Sequence, residues 1–374
     1  MPIDADWEGL WPNANRVKKV TYEEAAPPPQ VPTSILPILA HRSTRERIFP
    51  NLTHLVWKCN TPDGLDHGKT FLGIHLESLT LEIGHNISNL ADFLADVSLQ
   101  TRLTTFSLSS LGQLPEDFLR AMIPQNLLEK VSIIAPGALD PKVGTWVSEL
   151  PELKYLRLDL TCQSMKDVEG FFGGTTPRSG WTTLSSEEFR DSGVFPELDL
   201  TETKKINGFS GSGNARRGAY PQLKQLHLTG EVGNIVTFLK FLVGHIHTLE
   251  LTIEGPPMEY DWQNLCAVIC NKLSGSLRSL RILSTTPVDQ VKSPRSPGRS
   301  QDQIFHRLPL SHFTSLPRLA EFEIDLPEPV IFDNSDIAHL ATVCPAVEVL
   351  KLCPQAKWPS NYAPPGVTLV RYLS

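Results

Sequence analysis

The chain has 374 residues, enough for two globular domains or one elongated array, and its 40% apolar and 20% charged content excludes a chain too polar to fold. A formal charge of -7, from 34 basic and 41 acidic residues, argues against nucleic acid as a bulk partner. No apolar run approaches the length of about 18 residues that a membrane span needs, and Met1 to Asp6 lacks the basic and apolar regions of an export signal.

The expected location is therefore intracellular, cytoplasmic or nuclear, and Asn51-Leu52-Thr53 and Asn86-Ile87-Ser88 match glycosylation acceptors by chance. Six cysteines, Cys59, Cys162, Cys266, Cys270, Cys344 and Cys353, form no C-x-x-C pair and read as reduced thiols in a core.

In chain order, a phrase with apolar residues at its first, fourth and sixth positions returns eleven times. The first match is Val17/Val20/Tyr22. A proline-rich connection, Pro27-Pro28-Pro29, leads to a short helix predicted near Ile35 to His41. Leu52/Leu55/Trp57 and Leu76/Leu79/Leu81 follow, after which Ile87, Leu90, Leu94 and Val97 step as one face of a helix. Next come Leu103/Phe106/Leu108, Leu128/Val131/Ile133 and Leu153/Leu156/Leu158.

From Leu52 to Leu153 the units start 24, 27, 25 and 25 residues apart, by subtraction of positions. The next match, Leu223/Leu226/Leu228, starts 70 residues beyond Leu153, room for an extra unit and a large loop. The loop is predicted at Gly173 to Gly218, with a short strand at Val194 to Leu200. Ile235, Phe238, Leu239 and Leu242 then mark a helix, and Ile246/Leu249/Leu251 another strand. Trp262, Leu265, Cys266, Ile269 and Leu273 mark a longer helix before Leu277/Leu280/Ile282. A second loop insertion is predicted near 284–303, including Ser293-Pro294-Arg295-Ser296-Pro297, with Pro287 to Ser300 mobile. Leu319/Phe322/Ile324, a helix on Ile337, Leu340, Ala341 and Cys344, and Val347/Leu350/Leu352 close the series. Ser88, Asn234, Asp261 and Ser335 are the expected helix starts.

Within each phrase the last two apolar positions alternate with polar ones, the period of a strand; between phrases the period becomes helical. Intervals near 25 residues fall in the range of leucine-rich repeats, about 20 to 29. A lone strand–helix unit buries too little to order itself, so neighbours must stack and complete a parallel ladder. The expected fold is α/β: one irregular leucine-rich-repeat solenoid over 1–374, parallel strands on the concave face and helices on the convex face, with loop insertions near 173–218 and 284–303.

Phe49-Pro50-Asn51-Leu52-Thr53-His54-Leu55-Val56-Trp57 resembles the F-P-N-L-x-x-L-x-W phrase of F-box/leucine-rich-repeat proteins of basidiomycete fungi. Asp6-Trp7 through Arg16-Val17-Lys18-Lys19-Val20 is similar to the segment that opens their repeat region, and Tyr220-Pro221-Gln222-Leu223 and Leu316-Pro317-Arg318-Leu319 repeat the Pro-x-Leu lead into a strand. The resemblance implies recognition of a protein substrate for an SCF-type ubiquitin ligase, with transfer chemistry left to other subunits. The alternative is a free-standing scaffold or inhibitor with no ligase role. Repeat-like sequence begins by Trp7, leaving no room for the F-box, so the SCF adaptor is an expected partner only if an F-box lies upstream. The family's turn asparagine appears only at Asn60; Gly84, Leu111, Pro136, Thr161, Glu231 and Glu254 stand elsewhere, so irregular turns are expected.

No catalytic constellation is legible. Gly208-Phe209-Ser210-Gly211-Ser212 misses the nucleophile elbow at its last glycine, and no H-E-x-x-H, Walker or dinucleotide pattern occurs. His245, His247, Cys266 and Cys270 have metal-compatible spacings but no convergent set of four, so neither metal nor cofactor is expected. Lys204-Lys205, Arg216-Arg217 and Lys292 to Arg299 read as solvated loop charge. The chain is not expected to be an enzyme. The candidate site is the concave row flanking the inward leucines: Tyr155, Arg157, Asp159, Gln225, His227, Glu250, Arg281 and Glu323, offered to a protein partner. No nucleic acid and no membrane partner is expected.

Overall fold

Side chains two apart on a strand share a face, and in the computed structural model every one of the eleven phrases puts its last two apolar residues on a strand. The structure describes residues 11–24, 48–85, 87–173, 220–255, 257–285, 306–326 and 330–354. The strands are β1 (Lys19–Glu23), β2 (His54–Cys59), β3 (Ser78–Ile83), β4 (Thr105–Ser110), β5 (Lys130–Ile134) and β6 (Tyr155–Asp159). They continue with β7 (Gln225–Gly230), β8 (Thr248–Ile253), β9 (Ser279–Ser284), β11 (Glu321–Asp325) and β13 (Val349–Leu352), and all eleven form one parallel sheet in chain order. Two further strands, β10 (His306–Arg307) and β12 (Val330–Ile331), pair with each other in a separate parallel ribbon.

The register never slips. Val20, Leu55, Leu79, Phe106, Val131, Leu156, Leu226, Leu249, Leu280, Phe322 and Leu350 stand side by side as the fourth positions of the phrase. One residue before each strand, a carbonyl accepts two N–H groups from the next unit. Glu77 O takes Thr104 N at 2.8 Å and Thr105 N at 3.0 Å, and Lys154 O takes Lys224 N at 2.9 Å and Gln225 N at 3.0 Å. The second example spans the long interval, where β6 pairs directly with β7. Among the described residues no strand stands between β6 and β7.

On the other side lie α1 (Trp11–Ala14), α2 (Pro62–Gly68), α3 (Leu90–Gln100), α4 (Phe118–Met122), α5 (Pro141–Glu149) and α6 (Met165–Phe171). The series ends with α7 (Val232–Phe241), α8 (Glu259–Leu273) and α9 (Asn334–Val343). Strands stack at about 4.7–4.9 Å but packed helices need about 8–10 Å, so the sheet must curve with its strands inside. This is the arrangement of a leucine-rich-repeat solenoid. Its hydrophobic core runs unbroken between sheet and helices from Leu52 to Cys353.

The resemblance phrase has a physical role in that core. Trp57 is fully buried, stacks on Tyr22 at 4.1 Å and donates its indole N–H to Gly64 O at 2.9 Å. Phe49 stacks on Phe71, and the Asn51 amide donates to Asn15 O, tying the first unit to the second.

The expected helix starts need correction. The helix starts are Asn89, Glu231, Met258 and Asp333 rather than Ser88, Asn234, Asp261 and Ser335. Asn234 instead lies buried inside α7 and donates to Gln163 O at 2.8 Å, bridging two units. The turns do not rest on asparagine; Asn60 is exposed, and single buried side chains serve where they are needed. Gln125 accepts from Leu103 N and donates to Thr101 O, and Asp336 accepts from Leu310 N. The short helices α2, α4, α5 and α6 fit the expected strand–helix unit, although no individual positions were assigned to them. The insertions expected near 173–218 and 284–303 fall almost wholly at 174–219 and 286–305, outside the described residues. So do the helix near Ile35 to His41, the strand at Val194 to Leu200, Gly208 to Ser212 and the basic loop pieces.

Candidate interface on the inner face of the sheet

With the apolar strand residues turned to the helices, the alternate residues face inward in three rows. The middle row reads Thr21, Val56, Thr80, Ser107, Ser132, Arg157, His227, Glu250, Arg281, Glu323 and Lys351 in register. Five of the eight expected site residues, Arg157, His227, Glu250, Arg281 and Glu323, therefore stand consecutively on β6, β7, β8, β9 and β11. Tyr155 and Gln225 are neighbours in the row before it, and Asp159 lies in the row after it. The sequence placed them on one face; the structure sorts them.

From β7 onward the middle row is a chain of ion pairs. Arg281 donates from Nη1 to Glu250 Oε2 at 2.7 Å and from Nε to Glu323 Oε2 at 3.0 Å. Lys351 Nζ stands 3.5 Å from Glu323 Oε2, and His227 Nδ1 stands 3.5 Å from Glu250 Oε1. The second ring nitrogen of His227 shares a hydrogen bond with the Thr252 hydroxyl at 3.1 Å. Burial and then the Arg157 guanidinium hold His227 below the ordinary imidazole value, outweighing Glu250. Its side chain is buried and neutral at pH 7, so Glu250 belongs chiefly to Arg281.

Arg157 is the exception in the row. Among the described residues it makes no ion pair, and its Nε–H is buried without an acceptor. Asp159, on the same strand, turns its carboxylate to Thr161 N instead. Tyr155 lies half-buried beside Arg157, its phenol pushed up by burial. On the other flank of Arg157 the row holds small hydroxyls, Ser132 and Ser107.

Lys351 and Thr252 complete the polar network and were missed by sequence reasoning. Stacking the phrases and reading the residue between the last two apolar positions would have found Lys351. A depression of about 280 Å³ opens over Arg281, Glu321, Phe322, Glu323, Val349 and Lys351, but Arg281, Glu323 and Lys351 are already paired with one another and Glu321 accepts from the Ser279 hydroxyl. A larger one, about 380 Å³, lies off the inner face around Arg102, Pro124, Gln125, Asn126 and Leu127.

Cys266 and Cys270 are core residues of α8, and burial pushes the Cys266 thiol well up and that of Cys344 up to about 12. Such thiols stay protonated and pack as small apolar groups. Among the described residues no group of three or more His, Cys, Asp or Glu could hold a metal ion, and no helix is long and apolar enough to cross a membrane. No protein-family model matches the chain, and no curated protein is significantly similar to it.

Proposed function

We propose that the chain is a protein-recognition module that captures a partner on the inner face of its sheet, centred on Tyr155 and Arg157. The observation that carries this reading is the isolated guanidinium: every other charge of the middle row has its counter-charge or lies neutral, while Arg157 keeps a buried N–H without an acceptor. A buried donor left unmet costs about 1–3 kcal/mol, and a partner's acceptor would recover it. Tyr and Arg are the residue types that most often anchor interfaces. By the resemblance in Phe49 to Trp57, the module is the substrate-capturing half of an SCF-type ubiquitin ligase, and it performs no chemistry itself.

Affinity capture with the full chain, followed by mass spectrometry, tests this. A partner should be retained by the wild type and lost by Tyr155→Ala with Arg157→Ala, with the melting temperature little changed. Retention of the same partner by the double variant would refute the inner-face reading. An SCF adaptor or cullin in the captured set favours the ligase role; their consistent absence favours the free-standing scaffold or inhibitor.

A further inference from the structure

One position on each unit lies outside the three inner rows: the residue just before the strand, whose carbonyl takes the paired N–H groups of the next unit. From β5 to β9 these residues are Glu129, Lys154, Lys224, His247 and Arg278. Side chains at this position reach those of the adjacent unit, since Lys154 Nζ lies 3.0 Å from Glu129 Oε1. Lys154 is thereby neutralised. Lys224, His247 and Arg278 are not: they follow one another on consecutive strands, and among the described residues none has an ion-pair partner. Two more bases come close enough to act on the same imidazole, His245 and Arg318, and both are exposed. Every charged group that shifts His247, namely Lys224, Arg278, His245 and Arg318, pushes it the same way, below the ordinary imidazole value, after burial has done so first.

Like charges placed directly opposite on neighbouring strands are destabilising. An acidic chain, at -7 overall, has many carboxylates that could have relieved them. Among the described residues Glu129 pairs with Lys154, and no carboxylate pairs with Lys224 or Arg278.

We propose that the rim formed by Lys224, His247, Arg278, His245 and Arg318 is a docking surface for an acidic peptide segment of a protein partner. This rests on reading the chain as a protein-recognition module. The rim runs along the strand starts that border Gln225, Thr248 and Ser279, so a segment seated on it lies at the edge of the inner face. Three permanent cations, Lys224, Arg278 and Arg318, suit two or three Asp or Glu side chains. They are few against the roughly 6–10 phosphate contacts of a DNA-binding protein with steep salt dependence, and Glu321, within the next strand, and Glu348, just before the last one, would repel a longer polyanion. Extended peptides repeat a side chain on one face about every 6.8 Å, against about 4.8 Å between strands. A segment crossing the strands obliquely brings successive carboxylates to successive bases.

The test is selection of a random dodecapeptide display library on the full chain, with affinities of the selected peptides measured by fluorescence anisotropy. The proposal expects Asp and Glu to be enriched, at least tenfold weaker binding to Lys224→Glu with Arg278→Glu, and recovery when the peptide's acidic residues are replaced by Lys. Circular dichroism establishes that the reversed protein is folded; Lys224→Ala with Arg278→Ala, which places no new charge on the rim, should weaken binding in the same direction. No enrichment of acidic residues, or unchanged affinity in both double variants, overturns it. Tighter binding of a single-stranded oligothymidylate than of the best acidic peptide overturns it in favour of nucleic acid. Acidic peptides indifferent to the rim but lost on Tyr155→Ala with Arg157→Ala would leave the inner-face reading standing and remove this one; the reverse pattern would keep the rim and remove the inner-face site.

Discussion

Arg157→Met and Arg281→Met make the same change in one row of side chains, yet should move stability in opposite directions. Methionine keeps most of the apolar stem in each case and deletes the guanidinium. At Arg281 that removes two charge-assisted hydrogen bonds, 2.7 Å to Glu250 and 3.0 Å to Glu323, and leaves both carboxylates short of a partner. Such bonds are worth about 1.5–3 kcal/mol when shielded, but the Arg281 side chain is 39% exposed, so solvent screening reduces the expected loss to about 1–2 kcal/mol. At Arg157 no acceptor is lost. The buried Nε–H disappears, which relieves a desolvation penalty, and the row's strongest influence on His227 after burial goes with it. The expected effect is a gain of about 0.5–1 kcal/mol. Urea unfolding followed by far-UV circular dichroism should therefore place the two variants on opposite sides of the wild type, and the Arg281→Met loss should shrink at high salt. Equal destabilisation by both would show that Arg157 is paired in solution and would remove the argument for an anchoring site there.

Three further perturbations test the fold. An added Cβ at Gly144 would lie 1.8 Å from Phe171 O, where α5 meets α6, so Gly144→Ala should destabilise by about 1–3 kcal/mol in a thermal melt. Gln125→Leu leaves Leu103 N–H and Thr101 O without their buried partner and should cost about 2–3 kcal/mol by urea unfolding. His227, facing Arg157, Asp159, Glu250 and Arg281, is held below its ordinary value of 6.5, so the unfolded chain takes up that proton at higher pH than the folded one. Its contribution to stability is present above about pH 6.5 and is lost as pH falls from there through the folded value. His227→Gln should flatten stability over that window, and an unchanged slope would assign it to other groups.

How much of this was readable without coordinates differs sharply by element. All eleven strands were, because an alternation of apolar and polar residues on a two-residue period leaves one face to bury, and Leu156 or Leu251 cannot be turned outward without exposing the whole strand's apolar set. The helices α3, α7, α8 and α9 were readable for the same reason, each having 10 or more residues over which the period repeats. The 5–9-residue helices α2, α4, α5 and α6 give too few turns for a period to emerge, although Asp140-Pro141 followed by Val143, Trp146 and Val147 was a usable signal for α5. Asn234 misled because an asparagine near a helix start can cap its own helix or bridge to another unit, and its neighbours in space decide which. The pairing of Arg281 with both Glu250 and Glu323 was hidden for a related reason. Each of these phrases read alone shows one charge between its last two apolar positions, and the alternation exists only across strands whose paired residues lie 31 and 42 apart in sequence. The basic rim at Lys224, His247 and Arg278 is legible by the same stacking, one residue before each strand.

The two halves of the sheet settle whether the fold itself requires charge on its inner face. From β1 to β5 the middle row is Thr21, Val56, Thr80, Ser107 and Ser132, and these strands pair in the same parallel register as the rest. Five units thus stack without a single charge in that row. The change occurs at β6, and the bonding across the long interval before β7 is the same as at every other step, Lys154 O accepting Lys224 N and Gln225 N. Neither register nor continuity changes where the charge begins. The charged half is therefore not a condition of stacking, and ion pairs as exposed as Lys351–Glu323 contribute little to stability. What the charges do fix is which inner-face groups remain available. Glu250 and Glu323 are held by Arg281 and His227 is kept neutral; from β6 onward, among the described residues, Arg157 within the face and Lys224, Arg278 and Arg318 along its rim keep no ion-pair partner. The proposed acidic partner follows from this placement: it would meet Arg157 and the rim bases, while the register commits Glu250 and Glu323 to Arg281 elsewhere in the row.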